Sequence, residues 1–589
     1  MCGIAGYIGE RDAFRVVFEM LGRLEYRGYD SAGVACINKN AIHITKDKGK
    51  VAEVEKEAAY ADSKVAIAHT RWATHGVPSR KNAHPHKDCK GKIAVVHNGI
   101  IENFEGLRAR LVKRGHKFLS ETDTEVIPHL IEEEYKDGGG TEAAFVSAIK
   151  KLGGSFAVAM LSDKENNIFI ARHESPLIVG IGNGENFVAS DIPALLPLTK
   201  KVIVLDDGEY GIVGKQKVVI KKINSGRVVN KKPKTINWSM AQAEKGGFEH
   251  FMIKEIHEEP QAVKNAIAER TDIEKIAKKL AKFPRIYFVA CGTASYAGRL
   301  GRGVLEHFGV PSNAEIGSEF RYGTSKTIDK NCAVILVSQS GETADTIAAA
   351  KEAKKNGAYV VGVVNVLGST LTGICDDVID IGAGPEIAVA STKAYVGQIT
   401  SLTLLGLFIA KEKGKLDVVD LNKLISKLGG VPEKISHVIG DKEKIKRLAE
   451  KYRNVKEFFY IGRGLNYPNA LEGALKLKEI SYVHAEAYPA GELKHGPLAL
   501  LEKGVVVFAL VPNDHLAKKM ESNVQEAKSR NAEIAVVSEG GDIKVPWVDP
   551  LLSPLLYVVP LHLFAYYLSV SKGLDPDKPR NLAKSVTVE

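Results

Sequence analysis

The second residue of the chain, Cys2, is a candidate nucleophile. Removal of Met1 would leave a thiol and a free α-amine on the same residue. An α-amine has an ordinary pKa of about 7.7–8.0, so part of it is unprotonated near neutral pH and can act as a base toward the thiol. Gly3 permits close approach of other backbone, and Ile4 and Ala5 start an apolar strand. Cysteines near a start codon are often incidental, so Cys2 alone leaves both interpretations open.

A run rich in hydroxyl groups, Ser338-Gln339-Ser340-Gly341-Glu342-Thr343, lies between a predicted strand at 332–337 and a predicted helix at 344–356. The free N–H groups and the dipole at a helix N-terminus favour an anion such as phosphate. The run lacks the lysine of a nucleoside-triphosphate loop. Capping alone would also place Ser and Thr here, but three hydroxyls around a glycine favour phosphate. Thr293 and Ser295, after a neighbouring strand, could line the same pocket.

Three charged residues share one face of a predicted helix at 468–480. Glu472, Lys476 and Glu479 are spaced by four and by three residues, which places them side by side. An exposed Glu–Lys pair is the common alternative. Small and apolar neighbours at 473–475 indicate a close-packed helix instead. A carboxylate beside an amine in a cleft could move protons between adjacent carbons of a sugar.

Two groups of histidines are candidates for acid–base catalysis or metal binding. His495 lies in a loop fixed by Gly496 and Pro497, where an acid–base role and a structural role are equally compatible with the sequence. His84 and His86 could suggest a metal, but a proline separates them and no carboxylate cluster is near. We therefore predict no metal site.

The C-terminal stretch, residues 575–589, contains Lys584. Chain ends are usually frayed. This one is stiffened by prolines and keeps apolar residues to its end, so we expect it to dock. A docked lysine that loses solvent can lower its pKa and form a Schiff base with a carbonyl.

Composition restricts the class of protein. A length of 589 residues predicts about three or four domains. No apolar run reaches the roughly 18 residues of a membrane span, and the N-terminus lacks a signal pattern. Six scattered cysteines without a C-x-x-C pair argue against disulfides or structural zinc and fit a reducing cytosol. The net charge of +10 comes from lysines interspersed with glutamates, which indicates a solvated surface and not a nucleic-acid site.

The pattern of predicted elements changes along the chain. The first part is strand-rich, with a hairpin formed by 155–160 and 168–171, and with helices at 104–114 and 124–135, the second capped by Asp123; this predicts a layered α+β sandwich. The later parts alternate strand, glycine-rich loop and helix, which predicts parallel sheets. We predict the domains 1–235, 275–430 and 440–589, with a linker and helix at 236–274.

The chain resembles a known family along its whole length. Its N-terminal motifs are similar to class II glutamine amidotransferase domains, and its two α/β parts to sugar isomerase (SIS) domains. The combination resembles the glutamine–fructose-6-phosphate aminotransferases (isomerizing). The motifs are Cys2–Gly6, Arg71–Gly76, His97-Asn98-Gly99, Thr122-Asp123-Thr124, Ser338–Thr343, Ala390–Lys393, Glu472–Glu479, His484–His495 and Leu582–Glu589. The resemblance implies an α+β N-terminal-nucleophile (αββα) domain followed by two α/β parallel-sheet SIS domains.

The resemblance also implies roles in the amidotransferase half. Cys2 would attack the glutamine amide and form a thioester with release of ammonia, and Asn98 and Gly99 would form the oxyanion hole. Arg71 and Asp123 would hold the carboxylate and amine of glutamine. Trp72 would gate an ammonia channel, and the same motif adds His75 to the glutamine site.

In the isomerase half the resemblance implies that the catalytic residues act on fructose 6-phosphate. Lys584 would form the imine, Glu479 would shuttle a proton between C1 and C2, and His495 would assist ring opening from a neighbouring subunit, which implies a homodimer. No cofactor is needed, because Lys584 meets the sugar directly. The remaining residues assigned to the sugar-phosphate site are Ser295, Ser338, Gln339, Ser340, Thr343, Ala390, Glu472 and Lys476.

One departure and two alternatives accompany this assignment. The loop Cys291–Tyr296 carries one residue more than the family pattern, and we assign the phosphate-site serine to Ser295. A phosphoribosyl amidotransferase would need an acidic diphosphate motif after a strand, which we do not find. A phosphosugar-binding regulator would not need Cys2, Glu479 and Lys584 together. We expect a cytoplasmic enzyme with glutamine and fructose 6-phosphate as substrates and with no nucleic acid or membrane partner.

Overall fold

The computed structural model describes residues 2–58, 62–73, 75–136, 140–236, 238 and 241–587. The chain forms two compact units, the first comprising Met1–Ala243 with Ala583–Glu589 and the second Glu244–Leu582. The second unit holds both predicted α/β segments, so the boundaries expected at 274 and 430 stay predictions. The C-terminal residues Ala583–Glu589 were predicted to belong to the domain 440–589, but they belong to the first unit.

Two antiparallel sheets form the centre of the first unit. Their strands are β1 (Gly3–Ile8), β2 (Ser31–Asn38), β3 (Ala41–Lys48), β4 (Val65–Arg71), β5 (His86–Lys87), β6 (Ile93–Ile101), β7 (Gly154–Ser162), β8 (Glu165–His173), β9 (Ile178–Ile181), β10 (Asn186–Ala189), β11 (Lys201–Val204), β12 (Glu209–Val213), β13 (Val218–Lys222), β14 (Val228–Val229) and β15 (Lys234–Thr235). The strand orders are β15-β11-β9-β10-β1-β4-β2-β3 and β14-β13-β12-β8-β7-β6-β5. The predicted hairpin is confirmed, since β7 pairs antiparallel with β8.

Helices cover the outer faces of both sheets. They are α1 (Ala13–Gly22), α2 (Val51–Lys56), α3 (Phe104–Lys113), α4 (Val126–Lys136) and α5 (Thr141–Ile149). Alternate residues of β6 face opposite sides: Ala94 and Val96 pack between the sheets, whereas Ile93 and Val95 pack against α3, α4 and α5. Helix α1 packs on β1 and β4 of the other sheet. The expected αββα layering is confirmed.

The N-cap predicted at Asp123 is wrong. Helix α4 begins at Val126. The carboxylate of Asp123 instead accepts a hydrogen bond from the backbone N–H of Ile101 at 2.8 Å. Asp123 therefore ties the end of β6 to the segment before α4, a long-range contact that capping rules do not anticipate.

Two parallel five-stranded sheets form the second unit, as predicted. Their strands are β16 (Arg285–Ala290), β17 (Ser312–Ile316), β18 (Cys332–Ser338), β19 (Tyr359–Val364), β20 (Asp377–Asp380), β21 (Glu457–Gly462), β22 (His484–Pro489), β23 (Val506–Leu510), β24 (Glu533–Ser538) and β25 (Ile543–Lys544). The orders are β17-β16-β18-β19-β20 and β22-β21-β23-β24-β25. In each sheet the strand that comes first in the sequence, β16 or β21, lies between the next two strands of the chain. The two segments therefore share one strand order.

The helices of the second unit are α6 (Phe251–His257), α7 (Glu259–Ala268), α8 (Arg270–Leu280), α9 (Gly292–His307), α10 (Gly317–Phe320), α11 (Ala344–Lys355), α12 (Thr370–Ile374), α13 (Lys393–Glu412), α14 (Val418–Gly429), α15 (Val431–Gly440), α16 (Lys442–Lys451), α17 (Tyr467–Ser481), α18 (Ala517–Lys528), α19 (Ser553–Tyr557) and α20 (Val559–Ser571). Much of the segment predicted as a linker and helix, 236–274, is helical, because α6 and α7 bury apolar faces in the core.

Two helical stretches, Lys393–Glu412 and Pro550–Ser571, are long and apolar enough to cross a membrane by length and composition. Their apolar windows are 100% and 94% buried inside the protein. They pack in the common core of the two parallel sheets, so their composition is explained by that burial.

Candidate active sites

Strand pairing brings Cys2 to Trp72. Strand β1 pairs antiparallel with β4, and Gly3 lies opposite Thr70. The Sγ of Cys2 accepts the backbone N–H of Trp72 at 3.3 Å and lies 3.5 Å from its carbonyl oxygen. A Cβ on Gly3 would lie 2.8 Å from the methyl group of Thr70, so a larger residue would push the terminus out of position. Burial raises the pKa of the Cys2 thiol, and the thiol therefore needs a base to react.

Asn98 and Gly99, at the end of β6, lie beside Cys2. The side-chain amide of Asn98 donates to the carbonyl oxygen of Cys2 at 3.0 Å. The Nε2 of His69 lies 3.1 Å from Oδ1 of Asn98 and 2.9 Å from the carbonyl oxygen of His97. Both partners are acceptors, so Nε2 carries the proton. Burial lowers the pKa of His69 to about 3, and this neutral ring fixes which way the Asn98 amide points.

Gly99 occupies a position that other residues cannot. Its φ is +123°, and a Cβ would lie 2.0 Å from the carbonyl oxygen of Ser155 on β7. Only glycine adopts this backbone without cost. The Asn98 amide and the Gly99 backbone are therefore held rigidly near Cys2.

Arg71 and Asp123 are buried charged groups in the same region. Nη2 of Arg71 donates to the carbonyl oxygens of His75 and, at 3.1 Å, Gly76. Its Nη1 is buried and has no hydrogen-bond partner among the residues that the structure describes. A buried unused donor costs free energy unless a ligand satisfies it. Burial also lowers the pKa of Arg71.

Trp72 and His75 flank these groups. The indole of Trp72 packs edge-on against Tyr29 with ring centres 5.6 Å apart, and the His75 ring packs on Phe104 at 5.3 Å. Thr74 of the same motif lies outside the described residues. His84 stacks on His69 at 4.1 Å, and burial lowers the pKa of both histidines.

The hydroxyl-rich loop joins β18 to α11. Oγ of Ser338 accepts the N–H of Gly341 at 3.0 Å and lies 3.3 Å from the hydroxyl of Thr343. Ser340 accepts the N–H of Glu342 at 3.1 Å. Thr343 occupies the N-cap position but forms no side-chain cap bond. The capping interpretation therefore does not account for Thr343.

The shape of this loop depends on Gly341 and Glu342. Gly341 has φ +66°, and a Cβ there would lie 2.0 Å from Oγ of Ser369. The Glu342 carboxylate accepts the N–H of Thr370 at 2.8 Å and its hydroxyl at 2.7 Å. Gln339 accepts the N–H of Asn365 through its carbonyl oxygen at 3.1 Å. These bonds tie the loop to the segment after β19.

The helix face predicted from spacing is buried. Glu472 is 0% and Lys476 1% exposed on α17. Lys476 Nζ lies 2.5 Å from Oε2 of Glu479 and 3.4 Å from Oε1 of Glu472. The Glu479 side chain keeps 22% exposure, so it is the member that a substrate can reach. The exposed-pair alternative is wrong.

Thr293, at the start of α9, joins this cluster. Its hydroxyl receives a hydrogen bond from Lys476 Nζ at 3.0 Å and donates to Glu472 at 3.2 Å. Ser295 lies two residues further into α9, and its hydroxyl donates to the carbonyl oxygen of Gly292 at 2.7 Å. The structure therefore brings Thr293 to the charged cluster and leaves Ser295 bonded within its own turn.

Sequence reasoning missed two members of this network, His562 and Glu259. His562 Nδ1 lies 2.7 Å from Glu259 and its Nε2 lies 3.7 Å from Glu472. Burial lowers the pKa of His562, but the two carboxylates raise it more, to about 9. The charges thus alternate from Glu259 through His562, Glu472 and Lys476 to Glu479. The only sequence signal was one histidine in the apolar run of α20.

The remaining predicted residues lie on other segments of the chain. Ala390 is 2% exposed in the loop before α13, where Glu386 accepts the N–H groups of Thr392 and Ala394. His495 is exposed at the end of a 3₁₀ helix. Lys584 belongs to the first unit and Glu479 to the second.

Comparison with known proteins covers the whole chain. The family profile for the SIS domain matches residues 279–407 and 451–542, and that for a glutamine amidotransferase domain matches 69–197. Relatives named glutamine–fructose-6-phosphate aminotransferase (isomerizing) from Thermococcus kodakarensis and Pyrococcus horikoshii are 51% and 50% identical, with all of each chain covered. The solved C-terminal domain of the Francisella tularensis glucosamine-fructose-6-phosphate aminotransferase is 38% identical, with TM-score 0.54, and covers 57% of this chain and 100% of its own.

Proposed function

This chain belongs to the family of glutamine–fructose-6-phosphate aminotransferases (isomerizing), and we propose that its two units carry the two halves of the reaction. The enzyme transfers the amide nitrogen of L-glutamine to D-fructose 6-phosphate and isomerises the product, giving D-glucosamine 6-phosphate and L-glutamate. This is the first step of the hexosamine pathway. The geometry of each unit supports the roles of Cys2, Asn98, Gly99, Arg71, Glu479 and the Ser338–Thr343 loop, and membership of the family supports the other assignments.

The first unit hydrolyses glutamine. The α-amine of Cys2, freed by removal of Met1, accepts the thiol proton, and Sγ attacks the amide carbon. The second N–H of the Asn98 amide and the N–H of Gly99 stabilise the oxyanion as its charge develops. Collapse expels ammonia and leaves a thioester, which water hydrolyses to glutamate.

The unused Nη1 donor of Arg71 supports the glutamine assignment. One guanidinium nitrogen of Arg71 already donates to backbone carbonyl oxygens, and the other nitrogen is available to donate to the substrate α-carboxylate. Asp123 offers the complementary charge to the substrate α-amine. Trp72 and His75 flank the same segment and complete the glutamine site.

The sugar half of the reaction uses residues of the second unit together with Lys584. The loop Ser338–Thr343 holds the phosphate with its hydroxyls and the N-terminus of α11, together with Ser295 and Ala390. Lys584 forms an imine with C2 of the open ketose and releases water. Ammonia then displaces the lysine, and Glu479 carries the proton from C1 to C2. His495 assists ring opening from a second subunit, so we propose a homodimer.

The single observation that carries the isomerase assignment is the buried row of alternating charges on α17. Glu472 and Lys476 are removed from solvent, and Lys476 forms an ion pair with Glu479 at the accessible end. A proton shuttle must be ionised to remove a proton and must face the substrate. We also place the enzyme in the cytoplasm, without a resident cofactor and without a nucleic-acid or membrane partner.

Glu479→Gln tests this assignment, because the amide keeps the shape and loses the base. We expect synthesis to fall by at least about 10²-fold, the range for loss of a positioned base, while glutamine hydrolysis continues. Lys478→Gln, an exposed position on the same helix, is the control and should leave synthesis unchanged. Wild-type synthesis by the Glu479 variant would remove the proposed role.

A further inference from the structure

Four side chains that ligate metals converge in the first unit, outside the glutamine site. They are Cys89 after β5, His116 after α3, and His129 and Glu132 on α4, and their ligating atoms all lie within 4.8 Å of one another. The side chains of the two histidines and of Glu132 are 2%, 1% and 8% exposed. Sequence reasoning predicted no metal because it considered only neighbouring histidines, whereas this group is assembled from three separate segments.

The distances between the ligating atoms fit a tetrahedral ion. Cys89 Sγ lies 3.7 Å from Nδ1 of His116 and 3.5 Å from Nδ1 of His129, and the two nitrogens are 3.2 Å apart. Oε2 of Glu132 is 3.3 Å and 3.8 Å from the same two nitrogens. A zinc tetrahedron with Zn–S of about 2.3 Å and Zn–N and Zn–O of about 2.0–2.2 Å has edges of about 3.3–3.6 Å.

The surroundings of His116 orient it as a ligand. Its Nε2 lies 2.7 Å from the carboxylate of Glu133, and that carboxylate is held by Arg114 at 2.7 Å. A carboxylate at Nε2 places the ring proton there, so the lone pair of Nδ1 faces the cluster. Metal-bound histidines are commonly held by a carboxylate in this way.

Two further contacts favour an ion over a hydrogen-bond network. The backbone N–H of Lys117 points at Cys89 Sγ at 3.5 Å, which stabilises a thiolate. Oε2 of Glu132 accepts the N–H of Cys89 at 3.1 Å, which orients the carboxylate. A sulfur, a carboxylate oxygen and a nitrogen lone pair then face one point, which is a donor set that a metal cation can join.

The geometry points to a structural Zn²⁺ site formed by Cys89, His116, His129 and Glu132. The mixed set of sulfur, nitrogen and oxygen donors suits zinc, and four protein ligands leave no position for a substrate. The ion joins the turn before β6 to α4. It also closes the loop between His116 and His129, which carries Asp123.

Metal analysis of the full-length protein, purified without chelator and then exposed to one equivalent of ZnCl₂ and desalted, tests the site. We expect about one zinc per chain. Replacement by Co²⁺ should give the visible absorption of tetrahedral cobalt with a thiolate charge-transfer band. Cys89→Ser should abolish the thiolate charge-transfer band of the cobalt protein. His116→Asn should abolish stoichiometric binding of zinc. Cys375→Ser and His43→Asn, outside the cluster, should retain both.

The wild-type measurement keeps the test independent of whether a variant folds. Glutamine hydrolysis by the same sample reports that the first unit is folded. Folded wild-type protein that holds no zinc after this treatment overturns the proposal, as does an octahedral cobalt spectrum without a thiolate band. Rapid alkylation of Cys89 in the zinc-treated protein would also overturn it and would instead indicate a reactive thiol.

Discussion

At the residue scale, the reacting groups are held by neighbours that fix their charge or their orientation. The neutral His69 ring donates to Asn98 and so aims its amide at Cys2. In the second unit, Lys476 forms an ion pair with Glu479. The spacing of Glu472, Lys476 and Glu479 was enough to predict their shared face. His562 and Glu259 were not predictable, because they come from distant helices that only the tertiary fold brings together.

Asn98→Ala removes one oxyanion donor and leaves Cys2 in place. We expect kcat for glutamine hydrolysis to fall by about 10²–10³, as for loss of one such donor elsewhere, with a small change in KM. Steady-state ammonia release measures it. Asn167→Ala, on β8 and distant in sequence from the site, is the control. An unchanged kcat in the Asn98 variant would show that the amide has no part in the transition state.

Lys476→Met removes the ammonium that pairs with both Glu472 and Glu479. Breaking a buried ion pair from one side costs about 3–5 kcal/mol, and synthesis should be lost with it. Denaturant unfolding of the second unit and product formation measure the two effects. Lys478→Met on the exposed side of α17 should change neither. Equal stability of the two variants would contradict the buried charge row.

The pKa of His562 gives stability a defined pH dependence. It is raised from 6.5 to about 9, so its contribution is present below about pH 6.5 and is lost as the pH rises through about 9. Glu259→Gln removes a partner that raises this pKa. The variant should be less stable than wild type at pH 6.5, with a smaller further loss between pH 7 and 9.5. Parallel melting-temperature curves would contradict this.

At the element scale, strand–loop–helix junctions position the substrate groups. The order of elements and the parallel sheets were predictable because hydrophobic runs alternate with glycine-rich loops. The cap at Asp123 was not, and the prediction of a linker and helix at 236–274 did not give the number of helices in that segment. Asp123 forms a tertiary bond to Ile101, and α6 and α7 are helical because the core of the second unit covers them.

Gly341→Ala tests the phosphate loop as a unit. The added Cβ would lie 2.0 Å from Oγ of Ser369 in a backbone of φ +66°, so the loop must shift. We expect KM for fructose 6-phosphate to rise about tenfold or more, which is about 1.4 kcal/mol of binding, with KM for glutamine unchanged. Gly357→Ala has similar backbone strain, φ +85°, without a contact closer than 3.8 Å. Equal KM values in both variants would contradict the assignment.

At the scale of the whole molecule, one chain combines two units of different architecture. The first unit has the antiparallel αββα layers, and the second has two copies of one parallel plan. Motif order along the sequence was sufficient to predict this arrangement and the family. The grouping of the C-terminal residues with the first unit was not predictable, because a short tail without periodicity does not indicate where it packs.

The most direct test of the account follows nitrogen from one substrate to the other. The wild type and Lys584→Ala are each incubated with amide-¹⁵N glutamine and fructose 6-phosphate, and in control reactions each substrate is omitted in turn. The products are identified by mass spectrometry. We predict ¹⁵N-glucosamine 6-phosphate from the wild type only when both substrates are present. The variant should give glutamate and ¹⁵N-ammonia without amino sugar. Amino sugar from the variant at the wild-type rate would contradict the proposed imine.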